Sequence, residues 1–123
     1  MTSVRRRPAA TAVLALAAMA VLILGPATAA QASVLVKAGG SENTFRPKLL
    51  NVNKGTKVVW KDVGGTHTVT AYSKNWSKSV TLSTGQTTSF TFKATGRYKY
   101  RCVFHSTLVN GVCSGMCGKV VVG

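Results

Sequence analysis

Short alternating runs of polar and apolar residues dominate the chain beyond residue 32. The period of two is clearest at residues 87–92 and 98–102, where polar and apolar side chains alternate. Such a run forms a strand with one face in the core and the other in water. With Gly, Asn and Ser marking the turns, the pattern predicts seven strands, near residues 34–37, 48–52, 57–62, 66–72, 87–93, 96–102 and 118–122.

These strands predict an all-β domain. Seven short strands within residues 33–123 favour an antiparallel β-sandwich. The composition of this segment agrees, with 14 Val and 12 Thr against 3 Ala and 5 Leu. Residues 73–83 show no clean period, and we expect them to form a long connection between strands.

The N-terminal segment has a different composition. Three arginines, Arg5 to Arg7, precede an uncharged run rich in Ala, Leu and Val that ends at Gly25-Pro26. This pattern predicts a secretory signal peptide, residues 1–32, followed by one domain, residues 33–123. Cleavage is expected after Ala32, with Ala29 as the alternative, and a retained membrane anchor is the competing interpretation. The domain is therefore expected to be secreted or extracytoplasmic, in a periplasm or at a cell surface.

The charge balance is strongly basic. The whole chain has a formal charge of +14, and residues 33–123 alone carry +11, with Glu42 and Asp62 as the only acids. The field favours acidic redox proteins or an anionic cell surface as partners. The basic residues are spread singly and accompany no recognition helix or zinc finger, so nucleic acid is not expected. We expect a monomer.

Four residues form the candidate ligand set for a soft or borderline metal: His67, Cys102, His105 and Met116. Cys102 ends a predicted strand, and His105 follows three positions later, close enough for both side chains to reach one ion as the chain turns. Met116 lies just before the last predicted strand, and His67 lies in a separate strand.

Two imidazoles, one thiolate and one thioether are the donor set of a type 1, or blue, copper site. The thiolate gives a covalent bond, the imidazoles suit both copper oxidation states, and the thioether favours Cu(I). Such a site carries electrons. No paired carboxylates, Ser-His-Asp set or phosphate loop accompanies it, so we expect neither an enzyme nor a small-molecule substrate.

Several motifs then carry a family resemblance that spans residues 45–123. They are Phe45-Arg46-Pro47, Val58-Val59-Trp60, His67-Thr68-Val69-Thr70, Gly96-Arg97-Tyr98, Tyr100 to His105, and Gly115 to Val122. In these motifs the chain resembles the plastocyanin/azurin family of cupredoxins. The resemblance implies a Greek-key β-sandwich of about seven strands, one copper ion that alternates between Cu(I) and Cu(II), and single-electron transfer between redox proteins.

The resemblance also implies roles for individual residues. His67, Cys102, His105 and Met116 match the copper ligands. The backbone N–H of Thr68 is expected to donate to the ligand sulfur, which would orient it. The edge of His105 matches the family's electron port, within an apolar patch that includes Phe104 and Leu108.

The ligand loop departs from the family pattern. Ten residues separate His105 from Met116, more than is usual in the family, which weakens the assignment of Met116 as the axial ligand. Cys113 and Cys117 bracket Met116, and in an exported protein we expect them to form a disulfide. That pairing leaves Cys102 free as the thiolate. The competing interpretation makes Cys113 or Cys117 a ligand in a thiolate-rich Cu(I) or zinc site.

The leading functional hypothesis is a secreted blue copper protein that carries single electrons. A protein for copper storage or delivery would use the same residues and is the main alternative. A metal-free cationic binding module stays open as well. A copper oxidase is the weakest candidate, because four protein ligands leave no position on the metal for substrate or oxygen.

Overall fold

The computed structural model describes residues 2–5, 8–26 and 31–123. Residues 2–5 and 8–26 are exposed and have no regular secondary structure. No helix among the described residues has the length and hydropathy needed to cross a membrane. Arg6, Arg7 and the alternative cleavage position at Ala29 lie outside the described residues, and the signal peptide stays a prediction.

Nine strands form within residues 31–123, the longest described range of the chain. They are β1 (Ser33–Gly39), β2 (Phe45–Arg46), β3 (Leu49–Val52), β4 (Thr56–Gly64), β5 (Thr66–Ala71), β6 (Ser79–Ser83), β7 (Thr87–Phe92), β8 (Gly96–Val109) and β9 (Val112–Val122). One sheet has the order β2-β1-β4-β7, and the other has the order β3-β9-β8-β5-β6. The all-β sandwich predicted from the sequence is confirmed.

The strand pairing differs from the antiparallel arrangement expected from the sequence. β1 runs parallel to β4, and β3 runs parallel to β9, so each sheet is mixed. Both parallel pairs join strands that are distant in sequence, and alternation within a strand carries no information about the direction of its neighbour.

Two further strands were not among the seven predicted. β6 lies inside residues 73–83, which were expected to form only a connection, and it pairs with β5 from Thr66↔Ser83 to Thr70↔Ser79. Its sequence, Ser-Val-Thr-Leu-Ser, does alternate, and Leu82 is its buried residue. The prediction of an unstructured connection was therefore wrong over the last five residues. The two-residue strand β2 is too short for any period to appear.

The core between the sheets is rich in aromatic side chains. Trp60 is fully buried, and its ring packs edge to face against Tyr100 at 5.2 Å between centroids. Trp76, from the β5–β6 connection, stacks on Trp60 at 6.2 Å, and its indole N–H donates to the carbonyl of Lys99. Aromatic pairs of this kind stabilise a core beyond the area that they bury. The Trp60–Tyr100 contact also joins the two sheets, because Trp60 lies in β4 and Tyr100 lies in β8.

Candidate metal centre

The first candidate ligand, His67, lies near the start of β5, directly after the turn from β4. Its side chain is 1% exposed, and its Nε2 lies 2.8 Å from the carbonyl oxygen of Gly64. A carbonyl only accepts, so Nε2 carries the hydrogen and Nδ1 keeps its lone pair. Gly39, with φ of 77°, packs against this ring, and a Cβ there would overlap it. The fold thus fixes both the tautomer and the orientation of the imidazole.

A buried carboxylate holds the turn that orients His67. Asp62 is fully buried near the end of β4, and its Oδ1 accepts a hydrogen bond from the backbone N–H of Gly64 at 2.9 Å. The carbonyl of Gly64 is the acceptor for His67. Asp62 therefore acts on His67 through a single residue, Gly64, a relation that the sequence analysis missed because it treated Asp62 only as an isolated acid.

Cys102 and His105 lie in a bulge of β8. On either side of the bulge, Arg101 pairs with Cys117 and Ser106 pairs with Gly115, so four residues of β8 face a single residue of β9. The extra length lets the chain turn both side chains toward His67.

The ligand atoms of three residues converge at this bulge. The Sγ of Cys102 lies 3.4 Å from Nδ1 of His105 and 3.9 Å from Nδ1 of His67. All three ligand atoms lie within 4.8 Å of one another, with His67 and Cys102 buried and His105 partly exposed. The structure thus brings together the three nitrogen and sulfur donors named from the sequence.

Thr68 holds the thiol from the neighbouring strand. Its backbone N–H lies 3.3 Å from Sγ of Cys102, in the arrangement that the family resemblance implied. Its hydroxyl also accepts a hydrogen bond from the N–H of Val103 at 2.9 Å, which the sequence analysis did not foresee. Because one residue contacts both the sulfur and the next peptide, β5 and the bulge of β8 are held together at the site.

Met116 is the single residue of β9 that lies opposite the bulge. It is 1% exposed and belongs to the buried core cluster together with Cys102. The ten residues between His105 and Met116 do not form an open loop as expected. They continue β8 and β9 as a hairpin, with Leu108 opposite Cys113. Cross-strand pairing therefore places Met116 opposite the bulge that holds Cys102 and His105, although ten residues separate it from His105.

The turn of this hairpin had a signal in the sequence that was not used. Asn110 and Gly111 occupy its two central positions with φ of 48° and 74°. Asn-Gly is the pair most favoured in a two-residue hairpin turn with positive φ at both positions. The dipeptide, between Val109 and Val112, predicts the hairpin that an estimate from loop length alone did not.

The predicted disulfide between Cys113 and Cys117 is confirmed. Their Cα atoms are 6.1 Å apart, about half the span of four residues in a straight strand. β9 therefore bends at Gly115 and Met116, and Gly115 has φ of 97°. Neither sulfur of the bridge is available as a thiolate, so the interpretation of a thiolate-rich site is wrong. Cys102 is the free cysteine.

An apolar surface borders the partly exposed edge of His105. Phe104 is 58% exposed, and Val103 and Leu108 are also exposed. The Phe104 and His105 rings lie 6.5 Å apart. Large exposed apolar side chains that adjoin one another mark a contact surface more often than scattered ones do.

The donor set fits copper. Two Nδ1 atoms and one thiol converge, with the buried Met116 on the strand opposite them, and this set of side chains is typical of type 1 copper. A structural zinc site with tetrahedral geometry uses four Cys or His ligands and no thioether. The site is largely buried and offers nitrogen and sulfur donors from side chains, as a copper ion bound by protein ligands requires.

Comparison with known proteins agrees with this geometry. The sequence profile of the cupredoxin-like domain matches residues 12–113. The chain belongs to the cupredoxin family, and its cofactor is copper. No curated protein sequence is significantly similar to it.

Solved cupredoxin structures share the fold. A reduced amicyanin mutant is 26% identical, with a TM-score of 0.60, and the match covers 77% of this chain and 86% of that one. A purple cupredoxin from Nitrosopumilus maritimus is 22% identical, with a TM-score of 0.54 and coverage of 75% and 99%. A copper-containing nitrite reductase from Thermus scotoductus is 24% identical, with a TM-score of 0.58, and the match covers 74% of this cupredoxin but 22% of that chain.

Proposed function

We propose that this cupredoxin is an extracytoplasmic blue copper protein that carries single electrons between redox proteins. The observation that carries the proposal is the convergence of the Cys102 thiol with the Nδ1 atoms of His67 and His105 opposite Met116. Copper bound there supplies one-electron exchange between Cu(I) and Cu(II).

The protein's part in this chemistry is to keep the donor positions fixed. His67 is held by Gly64, and Cys102 is held by Thr68. Ser106 closes the bulge, because its hydroxyl donates to the carbonyl of Cys102 and accepts from the guanidinium of Arg101. A donor set that does not rearrange suits fast electron exchange, because little reorganisation accompanies the change in charge.

His105 provides the exit for the electron. Its ring is a proposed ligand and is also the one among the three nitrogen and sulfur donors that reaches the surface. The apolar side chains of Phe104 and Leu108 around it allow close approach of a partner without the cost of desolvating charges. We therefore place the electron port at His105 and Phe104.

A carrier fits the site better than an enzyme does. Four protein donors complete the coordination of one ion, and catalytic sites keep a position open for substrate. The similarity to the nitrite reductase covers about a fifth of that chain, so it supports the fold rather than that activity. Copper storage or delivery is also less favoured, because the disulfide removes the two thiolates that would assist exchange of Cu(I).

Optical and EPR spectra of the Cu(II)-loaded protein test this function. We expect an intense thiolate-to-copper band in the visible region and a narrow copper hyperfine splitting. Met116→Gln should retain the band but shift it, whereas Cys102→Ser should abolish it. A shift identifies Met116 as the axial ligand, and an unshifted band assigns that position to another group. A colourless protein that binds only Cu(I) would contradict the carrier function and favour delivery.

We also propose that the N-terminal segment predicted as a signal peptide directs export and is removed, by cleavage after Ala29 or after Ala32. The disulfide suits an oxidising compartment, in which such bonds persist. Gln31 already contacts the domain, since its side-chain amide donates to the carbonyl of Gly55, and this favours the alternative site after Ala29 over the site after Ala32. Mass spectrometry of the exported protein distinguishes an N-terminus at Ala30 from one at Ser33. A full-length mass would instead indicate a retained anchor.

A further inference from the structure

A cavity of about 480 Å³ lies on the outer face of the five-stranded sheet, beside the ligand hairpin. The bend of β9 at the disulfide brings the hairpin turn over this face, because Gly111 and Val112 line the same cavity as residues of β8 and β9. Its volume is within the range of pockets that hold small organic molecules. The residues that determine its chemistry are Lys48, Leu49, Tyr72, Lys99, Val112 and Lys119.

The cavity concentrates positive charge that the protein does not neutralise. Lys99 and Lys119 are directly opposite each other on β8 and β9, and Lys48 joins them from the segment before β3. Like charges in directly opposed positions destabilise a sheet. Neither Glu42 nor Asp62, the only acidic side chains of the chain, lines the cavity. A bound anion would supply the missing negative charge.

The rest of the lining is apolar or aromatic. Leu49 is next to Lys119 in the parallel pairing of β3 with β9, and it is 52% exposed. Val112, at the hairpin turn, is 69% exposed. Tyr72 lies beside Lys99, since its N–H donates to the carbonyl of Lys99 at 3.1 Å, and burial raises the pKa of its phenol although Arg101 opposes the shift. A neutral phenol is a hydrogen-bond donor, and its ring is a stacking surface.

We propose that this cavity binds a small organic anion that combines a multiply charged acidic group, such as a phosphate ester or a dicarboxylate, with an apolar or aromatic body. The acidic group lies between Lys99 and Lys119, and the apolar body contacts Leu49, Tyr72 and Val112. The ligand is bound and not transformed. The site is separate from the donor set at His67, Cys102 and His105, and it does not depend on the proposed electron-transfer function.

NMR titration of the ¹⁵N-labelled protein tests the site, with phenyl phosphate and inorganic phosphate as probes. We expect saturable shifts at the amides of Tyr72, Lys99, Val112 and Lys119. Phenyl phosphate should bind about tenfold more tightly than inorganic phosphate, because its ring buries apolar surface that inorganic phosphate cannot. This measurement needs no variant, so it does not depend on whether a substitution disturbs folding.

Two double variants separate a built site from the general field of the protein. Lys99→Gln with Lys119→Gln should weaken phenyl phosphate binding by about tenfold or more, because charged hydrogen bonds are lost. Lys54→Gln with Lys93→Gln removes the same net charge from exposed positions outside the cavity and should change binding less than about twofold.

Three outcomes overturn the proposal. Equal weakening in both double variants would mean that only the net charge attracts anions. Equal affinity for phenyl phosphate and inorganic phosphate would show that the apolar body of the ligand contributes nothing to binding. Saturable binding of a poly-glutamate peptide to the same amides, without binding of phenyl phosphate, would assign the cavity to an acidic protein partner instead.

Discussion

Asp62 shows how a residue outside the donor set can determine the geometry of a ligand. Its carboxylate is buried with Oδ1 bonded to the N–H of Gly64, while Oδ2 has no hydrogen-bond partner. Burying a carboxylate in this way is costly. In exchange, the hydrogen bond from Gly64 to Asp62 fixes the shape of the turn, and this turn presents the Gly64 carbonyl to His67.

Removing the Asp62 carboxylate should therefore loosen His67. We expect Asp62→Ala to lower copper affinity by about tenfold, as is common when a ligand loses its outer hydrogen bonds. Asp62→Asn is the matched control, because its amide oxygen still accepts from Gly64 and it should stay near the unchanged protein. Competition with a copper chelator measures both. Equal affinities in Asp62→Ala and the unchanged protein would show that the turn keeps its shape without the carboxylate.

The buried phenol of Tyr100 makes the free energy of unfolding depend on pH in the alkaline range. Burial raises the pKa of this phenol to about 12. A hydrogen bond with Trp60 would lower this pKa, but the hydroxyl has no hydrogen-bond partner by distance and angle. Above pH ~10, the ordinary pKa of a tyrosine phenol, Tyr100 ionises in the unfolded chain but stays neutral in the folded protein. The stability due to the neutral phenol is thus complete below about pH 10 and is lost as the pH rises toward 12.

The free energy of unfolding should accordingly fall by about 2 kcal/mol between those two pH values from this residue alone. Tyr100→Phe should show a smaller fall and cost little at neutral pH, since the hydroxyl makes no hydrogen bond. Denaturant unfolding at a series of pH values checks both expectations. Parallel curves for the two proteins would rule out the ionisation of Tyr100 as the cause.

Single residues also show how far the sequence can predict the site. Cys102 and His105 were predictable as a pair because they are only three positions apart, which keeps their side chains close at any turn or bulge of the chain. The role of the Thr68 hydroxyl was not, because its acceptor role toward Val103 depends on how β5 lies against the bulge. The effect of Asp62 on His67 was equally unpredictable, because it depends on the backbone of Gly64 and the sequence does not show where a backbone carbonyl points.

At the scale of elements, the hairpin formed by the ends of β8 and β9 is the main departure from the expected structure. A gap of ten residues was interpreted as a long ligand loop that weakens the assignment of Met116, and loop length alone says little about closure. The Asn110-Gly111 turn and the bulge at residues 102–105 instead fix the register of both strands. Periodicity within each strand was predictable, but the register between them required knowledge of the turn.

The disulfide in this hairpin should fix the position of Met116. In Cys113→Ser with Cys117→Ser the bend of β9 loses its covalent tie, and the short closed ring predicts a loss of about 2 kcal/mol in unfolding free energy. We also expect the visible band of the copper protein to shift in the same direction as in Met116→Gln. Chemical reduction of the bridge is a control, and it should reproduce the spectrum of the double variant.

The two readouts separate stability from geometry at the metal site. A loss of stability with an unchanged band would show that Gly115 and the strand pairing hold Met116 without the bridge. An altered band with unchanged stability would place the effect at the site alone. Only the combination of both changes supports the disulfide as the element that positions the thioether.

On the scale of the whole molecule, charge was the property most directly predicted by the sequence. Only Glu42 and Asp62 are acidic, and Asp62 is buried, so the surface field is positive wherever the strands place the lysines. What the sequence could not give is the position of the lysines relative to the site. The fold places Lys48, Lys99 and Lys119 around one cavity and leaves the surface near His105 apolar.

The positive field should control the rate of electron exchange with charged reagents. We expect oxidation of the Cu(I) protein by hexacyanoferrate(III), an anion, to slow by about tenfold as ionic strength rises from about 0.01 M to about 1 M, because the Debye length falls from about 30 Å to about 3 Å. Oxidation by tris(phenanthroline)cobalt(III), a cation, should accelerate over the same range. Stopped-flow absorbance at the copper band gives both rates.

The two oxidants should show opposite changes of rate with salt, and this separates electrostatic steering from any general effect of salt on the metal site. Salt that altered the potential of the copper would change both rates in the same direction. A rate for the anion that is independent of salt would mean that contact at the apolar surface around His105 decides association and that the net charge serves another purpose. A fall for the anion together with a rise for the cation would show that the field of the whole molecule selects acidic partners, while the apolar surface sets the final approach.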